Sequence, residues 1–225
     1  GTPWHALDLS ELYEKLGARD NGLTEAEARS RIERFGPNML PEQPPPTGWQ
    51  IFLRQFQSPL IYVLGIAALV ALAIGDLTDA GFIAAVLLIN AVIGSYQEWK
   101  AEQSSRALQK LLRIRASVLR DGELREIDAE HVVPGDVVYL ESGNRVPADV
   151  RLLSVHGFEV DESLLTGEST AVLKDAHWEG ASDTPLADQL NMARAGSVVI
   201  RGRGKGLAIA TGEETAVGQL AVAVA

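Results

Sequence analysis

The stretch Val160-Asp-Glu-Ser-Leu-Leu-Thr-Gly-Glu-Ser-Thr170 is the part of this chain best supplied with reactive groups, and it is read as lying between two strands. Within it, Thr166-Gly167-Glu168-Ser169 suits the attack of water on a phosphoryl group. The Glu168 carboxylate can orient a water and take its proton. Thr166 and Ser169 can offer hydroxyls to phosphate oxygens, and Gly167 lets backbone come close. Taken without context, the four residues read equally well as a solvated polar turn. Gly202-Arg-Gly-Lys-Gly206 also looks suited to phosphate. It fails the Gly-x-x-x-x-Gly-Lys-Ser/Thr register, because Val199 stands at the first glycine position and Gly206 follows Lys205. It is read instead as a turn before a strand. His5, His131, His156 and His177 are scattered without metal-ligand spacing, so no metal is assigned. The absence of cysteine excludes disulfides, thiol catalysis and thiolate metal sites.

The elements that must position this loop are mostly strands. From Arg115 the pattern turns alternating, and Asp121-Gly122 between Ala116–Arg120 and Glu123–Ile127 is a strong hairpin signal. Further strands are predicted at Asp136–Glu141, Asp149–Val155, Ser197–Ile200 and Gly206–Thr211, giving a β-rich domain over 115–225. At the other end, Leu9, Leu12 and Leu16 recur at helical spacing and Gly17 supplies a stop. Thr24-Glu-Ala-Glu27 forms a capping box that opens a second helix, with Ala28, Ile32 and Phe35 on one face and Gly36-Pro37 as its end. Pro41-Glu-Gln-Pro-Pro-Pro46 reads as a stiff linker. These pieces make 1–50 a helical lead-in expected to pack with the β-rich domain.

Between the two parts the sequence changes character. Gln55–Gly75 and Ala80–Gln97 are uncharged runs of 21 and 18 residues, broken by Asp76-Leu-Thr-Asp79. A bilayer core about 30 Å thick needs roughly 20 helical residues, so 51–114 is read as a two-helix transmembrane hairpin with a stalk running on through Glu98–Arg113. Arg54 precedes the first run and Lys100, Arg106, Lys110, Arg113 and Arg115 follow the second, while the connection carries only acids. The positive-inside rule then puts both termini in the cytoplasm. Neither run contains a carboxylate, which places a cation-coordinating site elsewhere. Asn90, polar in mid-run, is expected to bond a neighbouring helix.

The net charge of −10 argues against nucleic acid as a partner, since neutralising phosphates takes a basic face. No basic segment followed by a short apolar core opens the chain, so no secretory signal is read, and Gly1 in place of methionine suggests a trimmed fragment. The fold class expected is an α+β membrane protein.

In their order, these pieces resemble the P-type ATPases of the calcium-, sodium- and potassium-pump branch. The resemblance rests on Phe35-Gly-Pro-Asn38, the paired apolar runs, Ile89-Asn-Ala91, the stalk, Val133-Pro-Gly-Asp136, Val146-Pro-Ala-Asp149, Asp161–Ser169, Asn191-Met192, Gly202–Gly206 and Thr211-Gly212. It implies an actuator domain at 115–225 that dephosphorylates an aspartyl phosphate and couples this to ion translocation. Glu168 would position the hydrolytic water, with Thr166, Gly167 and Ser169 completing the catalytic loop. It further implies ATP and Mg²⁺ as cofactors of the full-length enzyme, with neither bound in this segment. The partners implied are a lipid bilayer, the transported cation, and the phosphorylation, nucleotide-binding and remaining transmembrane domains. The setting implied is a multi-pass protein of the plasma membrane. Asp-Lys-Thr-Gly, which carries the phosphorylated aspartate in that family, does not occur in this sequence, so the chain alone is expected to be inactive. Two alternatives stand beside this reading: a non-catalytic, membrane-anchored regulatory or binding module, and the same part of a proton pump.

Overall fold

A computed structural model describes residues 2–40, 46–111, 114–167 and 170–224. The polypeptide forms two compact units. One joins Gly1–Glu42 to Arg113–Ala225, and the other is Gln43–Leu112.

The first unit opens with α1 (Leu9–Leu16), capped by the Asp8 side chain and ended by Gly17 in the left-handed region. α2 (Glu25–Phe35) carries the expected capping box, in which Thr24 accepts from the Glu27 N–H and Glu27 accepts from the Thr24 N–H. An N-cap of this kind stabilises a helix by about 1 kcal/mol. Leu12, Leu16 and Ala28 are buried, but Phe35 is half exposed and does not share the inward face.

The second unit contains α3 (Gly48–Arg54), α4 (Pro59–Ile74) and α5 (Leu77–Leu111). The first apolar run is not one helix. Gln55–Gln57 form a single 3₁₀ turn, Ser58 is extended, and the axis bends by 74° before α4 begins at Pro59. The cause is local: a proline lacks the N–H to continue a helix and forces the residue before it out of the helical region. At 16 residues α4 spans about 24 Å. Among the described residues, α5 over Leu77–Ser104 alone is by itself long and apolar enough to cross a membrane, and the bent pair Gly48–Gln57 with Pro59–Ile74 becomes a second candidate when taken together. α5 packs on both α4 and α3, and Ile61, Ala80 and Ala91 are buried in this unit. Gly94 leaves room for the Gln55 side chain, whose amide donates to Glu98 at 2.7 Å. α5 continues to Leu111 as one 35-residue helix, and Leu112 and Arg113, the end of the expected stalk, lie outside the described residues. Asn90 stands exposed on α5, and no hydrogen bond from its side chain is seen among the described residues.

Unit one then builds a seven-stranded antiparallel sheet from β1 (Arg115–Arg120), β2 (Glu123–Asp128), β3 (Val137–Glu141), β4 (Asp149–Asp161), β5 (Val172–Leu173), β6 (Met192–Ala193) and β7 (Val198–Ala210). The order is β2-β1-β3-β7-β4-β5, with β6 on β4. After β4 comes the single turn α6 (Ser163–Thr166), and α7 (Ala216–Val224) follows β7. Asp121 and Gly122 take positive φ, so the hairpin signal marks the real turn.

Gly202–Gly206 is not a turn. It lies inside β7, which runs unbroken where two strands and a turn are expected from sequence. The glycines serve close approach to β4: a Cβ at Gly202 would sit 2.1 Å from the Gly157 carbonyl oxygen, and one at Gly206 would sit 2.4 Å from Val150 Cγ1. The sheet core is Val118, Val138, Leu140, Val150, Leu152, Phe158, Val160 and their neighbours. A second cluster seats Leu12 and Leu16 of α1 against Val137, Met192, Leu207 and Ile209.

Candidate functional site

The loop singled out for phosphoryl chemistry leaves the end of β4 and returns along β5. Asp161, the last residue of β4, accepts from the Ser163 N–H at 2.9 Å and so starts the turn that becomes α6. Donation from Ser163 holds the half-buried Asp161 carboxyl below its usual range. The turn closes when the Gly167 N–H donates to the Ser163 carbonyl at 2.9 Å. Gly167 has φ 73°, and a Cβ built there would meet nothing within 4 Å. The glycine is therefore required by backbone conformation, and the close approach expected from sequence is not to any described part of this chain. The Thr166 side chain and the whole of Glu168 and Ser169 lie outside the described residues.

Beneath the loop the interior is charged. Glu162, just before α6, and Lys174, just after β5, form an ion pair at 2.8 Å with side chains 3% and 1% exposed. Burial pushes the Lys174 ammonium below its ordinary range, Glu162 opposes that shift and Arg194 adds to it. Arg194 has its own acid: it donates to Asp149 at 3.1 Å and also bonds Gln189. Asp149 accepts further from the Ala195 and Ala216 N–H groups, at 2.9 and 3.0 Å. Lys174 escapes sequence reading because a lysine at the end of Val-Leu-Lys-Asp looks like a solvated charge. Its burial becomes visible only once β5 is paired with β4. Among the described residues no group of three histidine, aspartate or glutamate side chains could hold a metal ion.

Residues 110–225, a little over half of the chain, match the family model of the P-type ATPase actuator domain. The chain belongs to the P-type ATPases. Residues 4–71 match a second model, the N-terminus of cation transporters and ATPases. Among individual relatives, a calcium-transporting ATPase of Bacillus cereus is 47% identical over 89% of this chain and 23% of its own length. A probable cation-transporting ATPase F of Mycobacterium tuberculosis is 44% identical over 97% of this chain and 24% of its own. A sodium/potassium exporting P-type ATPase of Schizosaccharomyces pombe is 39% identical over 97% of this chain and 21% of its own. The chain thus spans about a quarter of the length of the curated relatives it matches.

In this P-type ATPase segment the motifs that carry the resemblance outside the loop do structural work. Asn38 of Phe-Gly-Pro-Asn donates to the Ala129 and Pro147 carbonyls and accepts from the Gly212 N–H. Asp136 of Val-Pro-Gly-Asp takes two bonds from Arg120, at 3.0 and 2.8 Å. Asp149 of Val-Pro-Ala-Asp anchors the start of α7. Asn191 donates to the carbonyls of His5 and Trp178. Asn38, Asp149 and Asn191 thus bond backbone groups distant in sequence, while Asp136 serves a buried guanidinium.

Proposed function

We propose that the chain is the N-terminal part of an ATP-driven cation pump. In this reading residues 1–50 and 115–225 act as the actuator with its helical lead-in, and 51–114 form a transmembrane hairpin and stalk. The actuator presents Thr166–Ser169 to an aspartyl phosphate formed in a separate domain, and Glu168 takes the proton of the attacking water. ATP and Mg²⁺ act at the phosphorylation and nucleotide-binding domains of the full-length enzyme, and movement of the actuator is coupled to passage of the ion. The names of the relatives support a cation as cargo, with calcium among the candidates.

The observation that carries the reading is the actuator match over the sheet that bears the Thr-Gly-Glu-Ser loop. The membrane part is supported by side chains pointing outward. Leu60, Leu69, Ile74, Leu77 and Phe82 are each at least 67% exposed, and helices apolar all round need apolar surroundings. With cations at Arg54 and from Lys100 onward, and only Asp76 before α5 and Asp79 in its first turn at the junction, both termini face the cytoplasm of a plasma-membrane protein. Single cysteines introduced at Ser30, Thr78 and Ser182 of this cysteine-free chain test the topology. Only the one at Thr78 is expected to react with an impermeant maleimide from outside, and outside labelling at Ser30 or Ser182 would reverse the assignment.

The division of labour between domains has its own test. Incubated with radiolabelled ATP and run on an acid gel, this chain alone is expected to take up no acid-stable phosphate. A labelled band would show that it holds a phosphorylation site of its own.

A further inference from the structure

We propose that Glu162 and Lys174 are a positioning pair for the Thr166–Ser169 loop, an ion pair across the loop's neck that fixes where the tetrapeptide is presented. The inference rests on the reading of that loop as the dephosphorylating element. Eleven residues separate the two charges. Glu162 follows the last residue of β4 and Lys174 follows the two residues of β5, and their oxygen and nitrogen lie 2.8 Å apart in a region closed to solvent.

The backbone around them is tied on both sides. Val160 is in register with Val172 across β4 and β5, and the Lys174 N–H donates to the Phe158 carbonyl at 2.8 Å. The neck is therefore closed by two strands, and the ion pair spans it: Lys174 lies opposite Phe158, and its ammonium reaches the Glu162 carboxylate beyond the end of β4. From there the chain makes a single helical turn, Ser163–Thr166, and Gly167 takes a left-handed conformation, so only four residues separate Glu162 from Gly167.

An ion pair is an odd choice for stability alone. Removing two charges from water costs several kcal/mol, and a packed apolar pair of similar volume often does as well or better. What charges supply is direction: one carboxylate oxygen meets one ammonium, whereas methyl groups can slide past each other. Neighbouring charges preserve this pairing. Arg194, whose charge Lys174 feels, is held by Asp149 and Gln189. In catalysis a misplacement of about 1 Å can cost a hundredfold in rate, so a loose neck should be read out in hydrolysis.

The test uses a full-length pump carrying this segment, in membranes, with phosphoenzyme formation from ATP and its decay after a chase measured separately. Lys174→Met and Glu162→Gln are expected to form phosphoenzyme to the parent level and to lose it about tenfold to a hundredfold more slowly. Glu168→Gln is run alongside, and Lys174→Met added to Glu168→Gln should slow decay by much less than it does alone, because residues acting as one unit are not additive. If Glu168→Gln slows decay while both pair variants keep the parent rate, the positioning role is wrong and the loop reading stands. If Glu168→Gln itself keeps the parent rate, the loop reading falls and takes this inference with it. Fully additive losses would place the pair outside the loop's action and overturn the proposal. Should Lys174→Met yield no phosphoenzyme, Lys174→Arg keeps the charge and alters the reach. Slowed decay with normal formation in that variant supports the pair, and the parent rate overturns it.

Discussion

Glu168→Gln, introduced into a full-length pump that carries this segment, is expected to accept phosphate from ATP as the parent does and to release it about 10²–10⁴-fold more slowly. The amide keeps the size and shape of the carboxyl group but cannot take a proton from water at neutral pH. A loss of that order corresponds to roughly 3–5 kcal/mol of barrier, at about 1.4 kcal/mol per decade. It should fall on hydrolysis, because phosphorylation is carried out in another domain under the proposed function. A solvated turn behaves differently: there the exchange changes stability by less than about 0.5 kcal/mol and leaves turnover alone. The two cases are separated by phosphoenzyme decay after a chase of unlabelled ATP, parent and variant side by side. Equal decay rates would remove Glu168 from the chemistry.

The largest expected effect on folding lies at the opposite end of the sheet. Asp136 is fully buried and Arg120 nearly so, and their side chains meet through two hydrogen bonds at 3.0 and 2.8 Å. Asp136 also accepts from the Val133 N–H at 2.9 Å, and Arg120 donates to the His131 carbonyl at 2.8 Å. Burial pulls the Arg120 pKa down, but the bonds and charge of Asp136, aided by Glu25, outweigh it and hold the guanidinium above its usual value. Asp136→Ala leaves that guanidinium in the interior without its acid and orphans a backbone donor. Breaking a buried pair in this way costs about 3–5 kcal/mol, a large share of the roughly 5–15 kcal/mol that keeps a domain folded. Denaturant titration of the chain in detergent, followed through the fluorescence of Trp4 and Trp178, should show that loss. Arg120→Met combined with Asp136→Leu should recover most of it. A loss below about 1 kcal/mol for Asp136→Ala alone would mean that solvent or another group already serves Arg120.

These residues also show what could be read from sequence and what could not. Signals whose partners are near in sequence were legible. The Thr24–Glu27 box, the stop at Gly17 and the Asp121-Gly122 turn each act over a few residues, and each is where sequence reading puts it. The break at Ser58 was also local, since Pro59 announces it, but a count of uncharged residues passes over it. Gly202–Gly206 was misread because its meaning lies in β4, some fifty residues earlier in the chain. Asn38, Asp136, Asp149 and Asn191 stood out as motif residues, yet their tasks could not be read, because Asn38 bonds Ala129 91 positions away and Asn191 bonds His5 186 positions away. In the candidate loop the proposed chemistry rests on residue types alone, and Glu168 and Ser169 lie outside the described residues. The buried Glu162–Lys174 pair needed the pairing of β4 and β5 to become visible.

The division into units has a consequence for how the protein is made. The sheet unit is discontinuous in sequence, with Gln43–Leu112 inserted between its first 42 residues and the remainder. Leu12 and Leu16 leave the ribosome early, but the apolar surface that buries them includes Leu207 and Ile209. At about 5–20 residues per second, Leu12 waits roughly ten to forty seconds for Leu207 to be synthesised. Through that interval α1 and α2 have only local hydrogen bonds and caps to hold them, and helices this short are marginal in water on their own. The capping box at Thr24 and the αL stop at Gly17 are therefore set to bias a nascent segment toward its final shape before its core exists. The apolar face of α1 is meanwhile open to any chaperone or competing chain that reaches it first.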